Sequence, residues 1–228
     1  MPRRSTPSTS RTPSEVAVED GPTPVAWLVR HAQSVWNASG LVQGQATAPG
    51  LTARGRAEAA GLAERLAGSG AGLVLSSDLR RAVETARPIA QRLGVPQITD
   101  AALRERALGV AEGRPADLLG PGDSGHDGER VVDADARPAG GESLRELYER
   151  VAAWLSRLRD SPPAPVTVVV THGGFLRVTR AWADRTPIES ASWSWTPNAV
   201  AWRLDVRRGS ISAAGTPGVP DASEGASD

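Results

Sequence analysis

The chain has 228 residues, 39% of them hydrophobic, and its 26 basic side chains balance 26 acidic ones, which suits one globular domain with loose ends and gives no overall field to draw it to nucleic acid or an anionic membrane. Cysteine is absent, so disulfides, thiolate nucleophiles and cysteine-ligated metal sites are excluded. Every basic residue is arginine, which removes lysine Schiff-base chemistry, and His31, His126 and His172 form no H-x-x-x-H pair, so neither a metal nor a cofactor is expected.

Residues 1–24 are rich in Ser, Thr and Pro and carry arginines but no apolar signal region; no stretch has the length of a membrane-spanning helix. The expectation is a flexible tail on a cytoplasmic protein with no membrane partner. A matching Gly-, Ser-, Pro- and Asp-rich tail is expected over 215–228, leaving a folded body over 25–214.

Within that body, short apolar β-branched runs alternate with helical patterns, the signature of an α/β domain with a mostly parallel sheet between layers of helices. Val25 to Val29 reads as the first strand. After a loop rich in Gly, Ala and Gln, Thr52 can cap a helix reaching about Ala67, and Gly72 to Leu75 reads as a second strand. Leu79, Val83, Ala86, Ala90 and Leu93 then alternate by four and three, giving a helix with one apolar face and a kink expected at Pro88. A third strand falls near Pro96 to Thr99. Residues 106–141, rich in Gly, Pro and Asp and without a period, read as a loop or lid.

Ser143 and Glu146 have capping-box spacing, and Leu144, Leu147, Val151, Leu155 and Leu158 continue as an apolar stripe. Val166 to Val170 is a continuous apolar strand of the kind covered on both faces, Gly173 opens another helix, and Asn198 to Val206 is the last strand, with a hairpin through Arg208 and Gly209. Trp193, Trp195 and Trp202 read as core or pocket wall, because no basic stripe accompanies them as a nucleic-acid stacking platform would require.

Two strands end in the same way, Leu28-Val29-Arg30-His31 and Val169-Val170-Thr171-His172. In a parallel sheet the carboxyl ends lie together, where open α/β folds place their ligands, so two histidines distant in sequence can meet. Arg30, Asn37 and the backbone N–H groups at Gly173 and Gly174 suit a phosphoryl ligand.

Arg30-His31-Ala32-Gln33-Ser34-Val35-Trp36-Asn37 resembles the R-H-G-x-[ST]-x-x-N signature of the histidine phosphatase superfamily, which includes the phosphoglycerate mutases. Leu51-Thr52 with Gly55, Ser76 to Ala82 with Thr85-Ala86, Leu103-Arg104-Glu105 with Gly109 and Glu112-Gly113, Gly140-Gly141-Glu142-Ser143, and Thr171-His172-Gly173-Gly174 follow in the order of that family. The resemblance implies a phosphoglycerate mutase-like three-layer fold and a transient phosphohistidine at His31. It also implies phosphoryl binding by Arg30, Asn37, Arg81, His172 and Gly173, with Glu105 as the proton donor to the leaving alcohol.

The family pattern S-x-L-x-R selects Arg81 over its neighbour Arg80, and L-x-E selects Glu105 over Glu112, whose alternative reading is structural pairing. Arg30, Arg81 and a protonated His172 would be the cations, keeping the His31 lone pair available and stabilising the equatorial phosphoryl oxygens. Ala32 replaces the family's glycine, and Thr47 stands where many members carry Asp.

Hydrolysis of a small phosphorylated metabolite is the expected activity. A mutase is the alternative: Arg106 follows Glu105 as in the mutase pattern, but Ala107 stands where an aromatic is expected, and 106–141 lacks clustered basic and aromatic residues. A non-catalytic phospho-ligand binding module is a further alternative, opposed by the intact set His31, Arg30, Arg81, Glu105 and His172.

Overall fold

A computed structural model describes residues 23–118, 133–191 and 196–213. The two terminal tails, His126, Trp193 and Trp195 lie essentially outside the described residues. Six strands form one sheet: β1 (Val25–Arg30), β2 (Leu73–Ser76), β3 (Gln97–Thr99), β4 (Val166–Thr171), β5 (Ala201–Asp205) and β6 (Ser210–Ala213), in the order β3-β2-β4-β1-β5-β6. The first four in that order are mutually parallel, and β5 and β6 run antiparallel at one edge.

The period of two along the strands sorts the core into two layers. Ala26, Leu28 and Val169 face α4 (Leu144–Asp160) and α5 (Gly173–Ala183), where Leu147, Val151, Leu155, Phe175 and Leu176 pack. Trp27, Val29, Val168 and Val170 face α2 (Ala53–Arg65) and α3 (Arg80–Leu93), against Leu62, Ala63, Ala82, Ala86 and Ile89. Strands covered on both sides need no polar face, which is why β4 reads as an unbroken apolar run. One further short helix, α1 (Val35–Ala38), follows β1.

The helix starts follow the expected chemistry. Thr52 accepts from the Gly55 N–H at 2.9 Å. Ser143 and Glu146 make the reciprocal capping box, at 3.1 and 2.8 Å. Helix α3 runs on through Pro88, with Ala82, Ala86, Ile89 and Ala90 packed into one apolar layer on both sides of the proline. Two expectations are revised.

The last strand starts at Ala201 rather than Asn198. The preceding chain turns through Ala199 at φ 55°, and the Asn198 side chain is engaged by the loop after β1. The start of the 106–141 segment is also more ordered than a bare loop. Gly109–Ala111 and Ala116–Leu118 form 3₁₀ turns. Leu41 bridges Pro115, and the Trp36 ring covers Gly113. Among the described residues, no helix is long and apolar enough to cross a membrane.

Candidate active site

Strands β1 and β4 are hydrogen-bonded neighbours with Arg30 opposite Thr171, so the residues that follow, His31 and His172, leave the sheet side by side. Their ring centroids are 5.1 Å apart with planes inclined at 58°. The His31 N–H donates to the Thr171 carbonyl at 2.9 Å, tying the two strand ends together. His31 is 2% exposed and His172 is fully buried.

The His31 Nδ1 lies 2.8 Å from its neighbour's carbonyl, Ala32 O. A carbonyl oxygen can only accept, so Nδ1 carries the proton and Nε2 keeps the lone pair. Burial holds the His31 pKa well below the usual histidine range, and the charges of Arg81 and Arg30 push the same way, against the contact with Ala32. His172 is lowered as well, by burial first and then by Arg81, His31, Arg30 and Arg150.

Both rings are therefore neutral at pH 7. The two arginines that would bind phosphate also repel a second proton on His172. Both His172 ring nitrogens and Arg81 Nε are buried with no hydrogen-bond partner among the described residues, so they retain hydrogen-bonding capacity that a bound anion could use.

Arg81, in the first turn of α3, is fully buried. Its Nη1 and Nη2 donate to Ala46 O at 3.0 Å and Gly44 O at 2.7 Å. Burial brings its pKa down to about 10, opposed by Glu105 and Glu112. Arg80 points outward to Glu84, 2.7 Å away. Because Arg81 holds the backbone of residues 44 and 46, that loop is braced without help from the exposed Thr47. Arg30 donates through Nη1 to the Thr196 carbonyl. Its pKa also falls to about 10, through burial, against the Glu105 carboxylate and with the charges of Arg177 and Arg81.

Glu105 lies within the field of the same two arginines. Its Oε2 accepts from the Gly174 N–H at 2.9 Å and its Oε1 from the Arg106 N–H at 2.8 Å. Gly174 permits this approach: a Cβ there would stand 2.2 Å from Glu105 Oε1. Gly173 lies against the Arg30 guanidinium, whose Nε would be 3.5 Å from an added Cβ. Glu112 instead binds backbone, accepting from the N–H groups of Gln45 at 2.8 Å and Leu108 at 3.0 Å.

Asn37 sits in α1, just after His31, with Oδ1 taken by the Ser34 N–H at 3.1 Å and by Asn198 Nδ2 at 3.3 Å. The side-chain group left to donate is its own NH₂. Asn198 also donates to His31 O at 2.9 Å, a contact for which the local sequence carries no signal. Thr85, part of the Ser76 to Ala86 motif, supports the site. Its hydroxyl accepts from the Ala32 N–H at 3.0 Å and donates to Arg81 O at 2.7 Å, and so joins the loop that orients the His31 ring to the helix that carries Arg81.

The family model of the histidine phosphatase superfamily, branch 1, matches residues 26–214. The chain is similar to a Salmonella paratyphi C protein named "Probable phosphoglycerate mutase GpmB", with 39% identity over 167 residues, 70% of this chain and 77% of that one. Among solved structures it resembles a mycobacterial glucosyl-3-phosphoglycerate phosphatase complexed with VO3, at 29% identity and TM-score 0.68, covering 81% of this chain and 94% of that one. It also resembles an Escherichia coli protein provisionally assigned as an alpha-ribazole-5'-P phosphatase, at 28% identity and TM-score 0.72, covering 84% and 95%.

Proposed function

Because this chain belongs to the histidine phosphatase superfamily, branch 1, we propose that it hydrolyses small phosphate monoesters in the cytoplasm through a phosphohistidine at His31. The observation that carries the reading is the orientation of the His31 ring: Nδ1 is committed to Ala32 O, which leaves Nε2 as the nucleophilic nitrogen of a neutral ring within the field of the buried Arg81 and Arg30 guanidinium groups.

Nε2 attacks the phosphorus in line with the ester oxygen. The P–O bond breaks as Glu105 gives its proton to the departing alcohol, and Nδ1–H remains on Ala32 O. In the second step the Glu105 carboxylate takes a proton from water, the water oxygen attacks phosphorus, and the P–N bond breaks to return neutral His31 and inorganic phosphate. Arg30, Arg81, His172, Asn37 and the Gly173 backbone hold the equatorial oxygens throughout, which is where the charge collects. Arriving phosphate charge also offsets the repulsion that keeps His172 neutral, so that ring can gain a proton as the phosphoryl group binds.

A phosphoglycerate mutase is the second reading, favoured by the name of the Salmonella relative. A mutase needs extra cations reaching over the site. Arg106, the residue matching that pattern, instead donates to Glu142 O at 2.8 Å and Ala136 O at 3.2 Å, and so braces the backbone of its own loop. The test is phosphate release from a panel of phosphomonoesters in EDTA by wild type and His31→Ala, with 3-phosphoglycerate and its bisphosphate activator included. Release lost in the variant supports the hydrolase. Isomerisation without release makes the protein a mutase, and equal release by both proteins refutes His31 as the nucleophile.

A further inference from the structure

The residue that carries the proton in this reading sits on a segment with little secondary structure of its own, yet its backbone is fixed by one side chain. Arg150, two turns into α4, uses all five of its N–H bonds. Nη1 donates to Ala102 O and Arg104 O, both at 2.9 Å. Nη2 donates to Glu105 O at 3.2 Å and to Glu142 Oε2 at 2.7 Å, and Nε donates to Glu142 Oε1 at 2.9 Å.

Glu142 closes the other side of the segment. Its Oε2 also accepts from the Ala107 N–H at 3.3 Å, and its backbone N–H donates to Ala107 O at 2.8 Å. The two side chains are only 22% and 15% exposed. Glu105 O also receives Gln45 Nε2 at 3.0 Å. Carbonyls on one side of Glu105 and the amide of residue 107 on the other are thus gripped by a single ion pair, while the carboxylate itself rests on Gly174 and Arg106.

We propose that Arg150 and Glu142 are positioning residues for proton transfer by Glu105. The hydrogen bonds of Arg150 go to the segment that carries Glu105 and to Glu142, while its charge adds only the last contribution to the lowered His172 pKa, so the pair acts chiefly by fixing where the Glu105 carboxylate stands; the inference rests on Glu105 being the proton donor. A planar guanidinium is needed for this, because a lysine ammonium has three donors and no fork to span two carbonyls and a carboxylate at once. The charge of Arg150 is matched by Glu142, so the guanidinium can lie near the cradle while directing its hydrogen bonds elsewhere.

The experiment uses ring-substituted phenyl phosphates, which share one shape and differ in leaving-group basicity, and reads the first step as the pre-steady-state burst of phenol. Wild type, Glu105→Gln, Arg150→Lys and Glu142→Gln are compared, with melting temperature recorded for each. A displaced acid slows poor leaving groups selectively. Arg150→Lys is expected to slow the phenyl phosphate burst by ~30-fold while the p-nitrophenyl phosphate burst stays within about threefold, following Glu105→Gln in direction.

Glu142→Gln keeps its size and leaves Arg150 its three carbonyls; it is expected to show the same tilt at smaller amplitude, and it carries the test if Arg150→Lys does not fold. If Glu105→Gln tilts the series but the other two variants slow every ester equally or not at all, the clamp is refuted and the acid stands. If Glu105→Gln itself slows every ester equally, the acid assignment fails and the clamp falls with it.

Discussion

Two neutral, buried histidines make a definite demand on stability as pH falls. In the unfolded chain a histidine titrates near 6.5, whereas His31 and His172 are held well below that by burial and by Arg81 and Arg30. Below pH 6.5 the unfolded state therefore binds protons that the folded state refuses, so stability is full above that pH and declines as pH drops toward the folded values. Each histidine costs on the order of 1 kcal/mol between pH 7 and 5.5, and the two together on the order of 2 kcal/mol, a sizeable part of the ~5–15 kcal/mol typical of a domain.

Carboxylates held low by ion pairs, such as Asp78 beside Arg104, act in the same direction but only nearer pH 4. Urea unfolding followed by tryptophan fluorescence at half-unit steps from pH 7.5 to 5.5 measures the effect. The slope should approach two protons at the acid end, and His31→Gln or His172→Gln should each remove about one. A flat profile, or an unchanged slope in both variants, would refute the reasoning that the cradle keeps both rings neutral.

The same depression predicts that kcat/KM will show no acid limb near the ordinary histidine pKa; a limb at about 6.5 would mean that free His31 protonates normally. Gly174→Ala would place a Cβ 2.2 Å from Glu105 Oε1 and is expected to cut turnover of alkyl phosphates by ~10²-fold, with near-normal turnover counting against the Gly174–Glu105 contact. Thr85→Val leaves the buried Ala32 N–H without its acceptor and should cost about 1–3 kcal/mol in urea unfolding; no loss would show that this link is dispensable. Leu147→Ala, fully buried between α4 and the sheet, should cost ~2–5 kcal/mol without changing the leaving-group dependence, and a changed dependence would tie this layer to the site.

Much of the architecture was legible because its causes are local. Period-two and period-3.6 burial, the Thr52 and Ser143 caps and the unbroken apolar run of β4 each follow from neighbouring residues, and together they specify a parallel sheet between helices. The pairing of His31 with His172 was legible for a related reason: two strands that end in the same way must present those ends together when they are parallel. The choice of Arg81 over Arg80 came from a motif, since adjacent helix residues differ only in which one the fold turns inward.

Other features were settled by packing between distant segments. Pro88 stays within one helix because the sheet beneath binds both of its flanks. Asn198 turns back to His31 O instead of joining β5, the loop at 44–46 is braced by the Arg81 guanidinium rather than by residue 47, and Arg150 closes on carbonyls 45 to 48 positions away. The ionisation of the two histidines belongs to this second class. Sequence supplied the titratable rings and the cations, but only burial and the nearby charges of Arg81 and Arg30 in the folded chain make the neutral form the stable one, because desolvation and charge repulsion are set by distances that exist only in the folded chain.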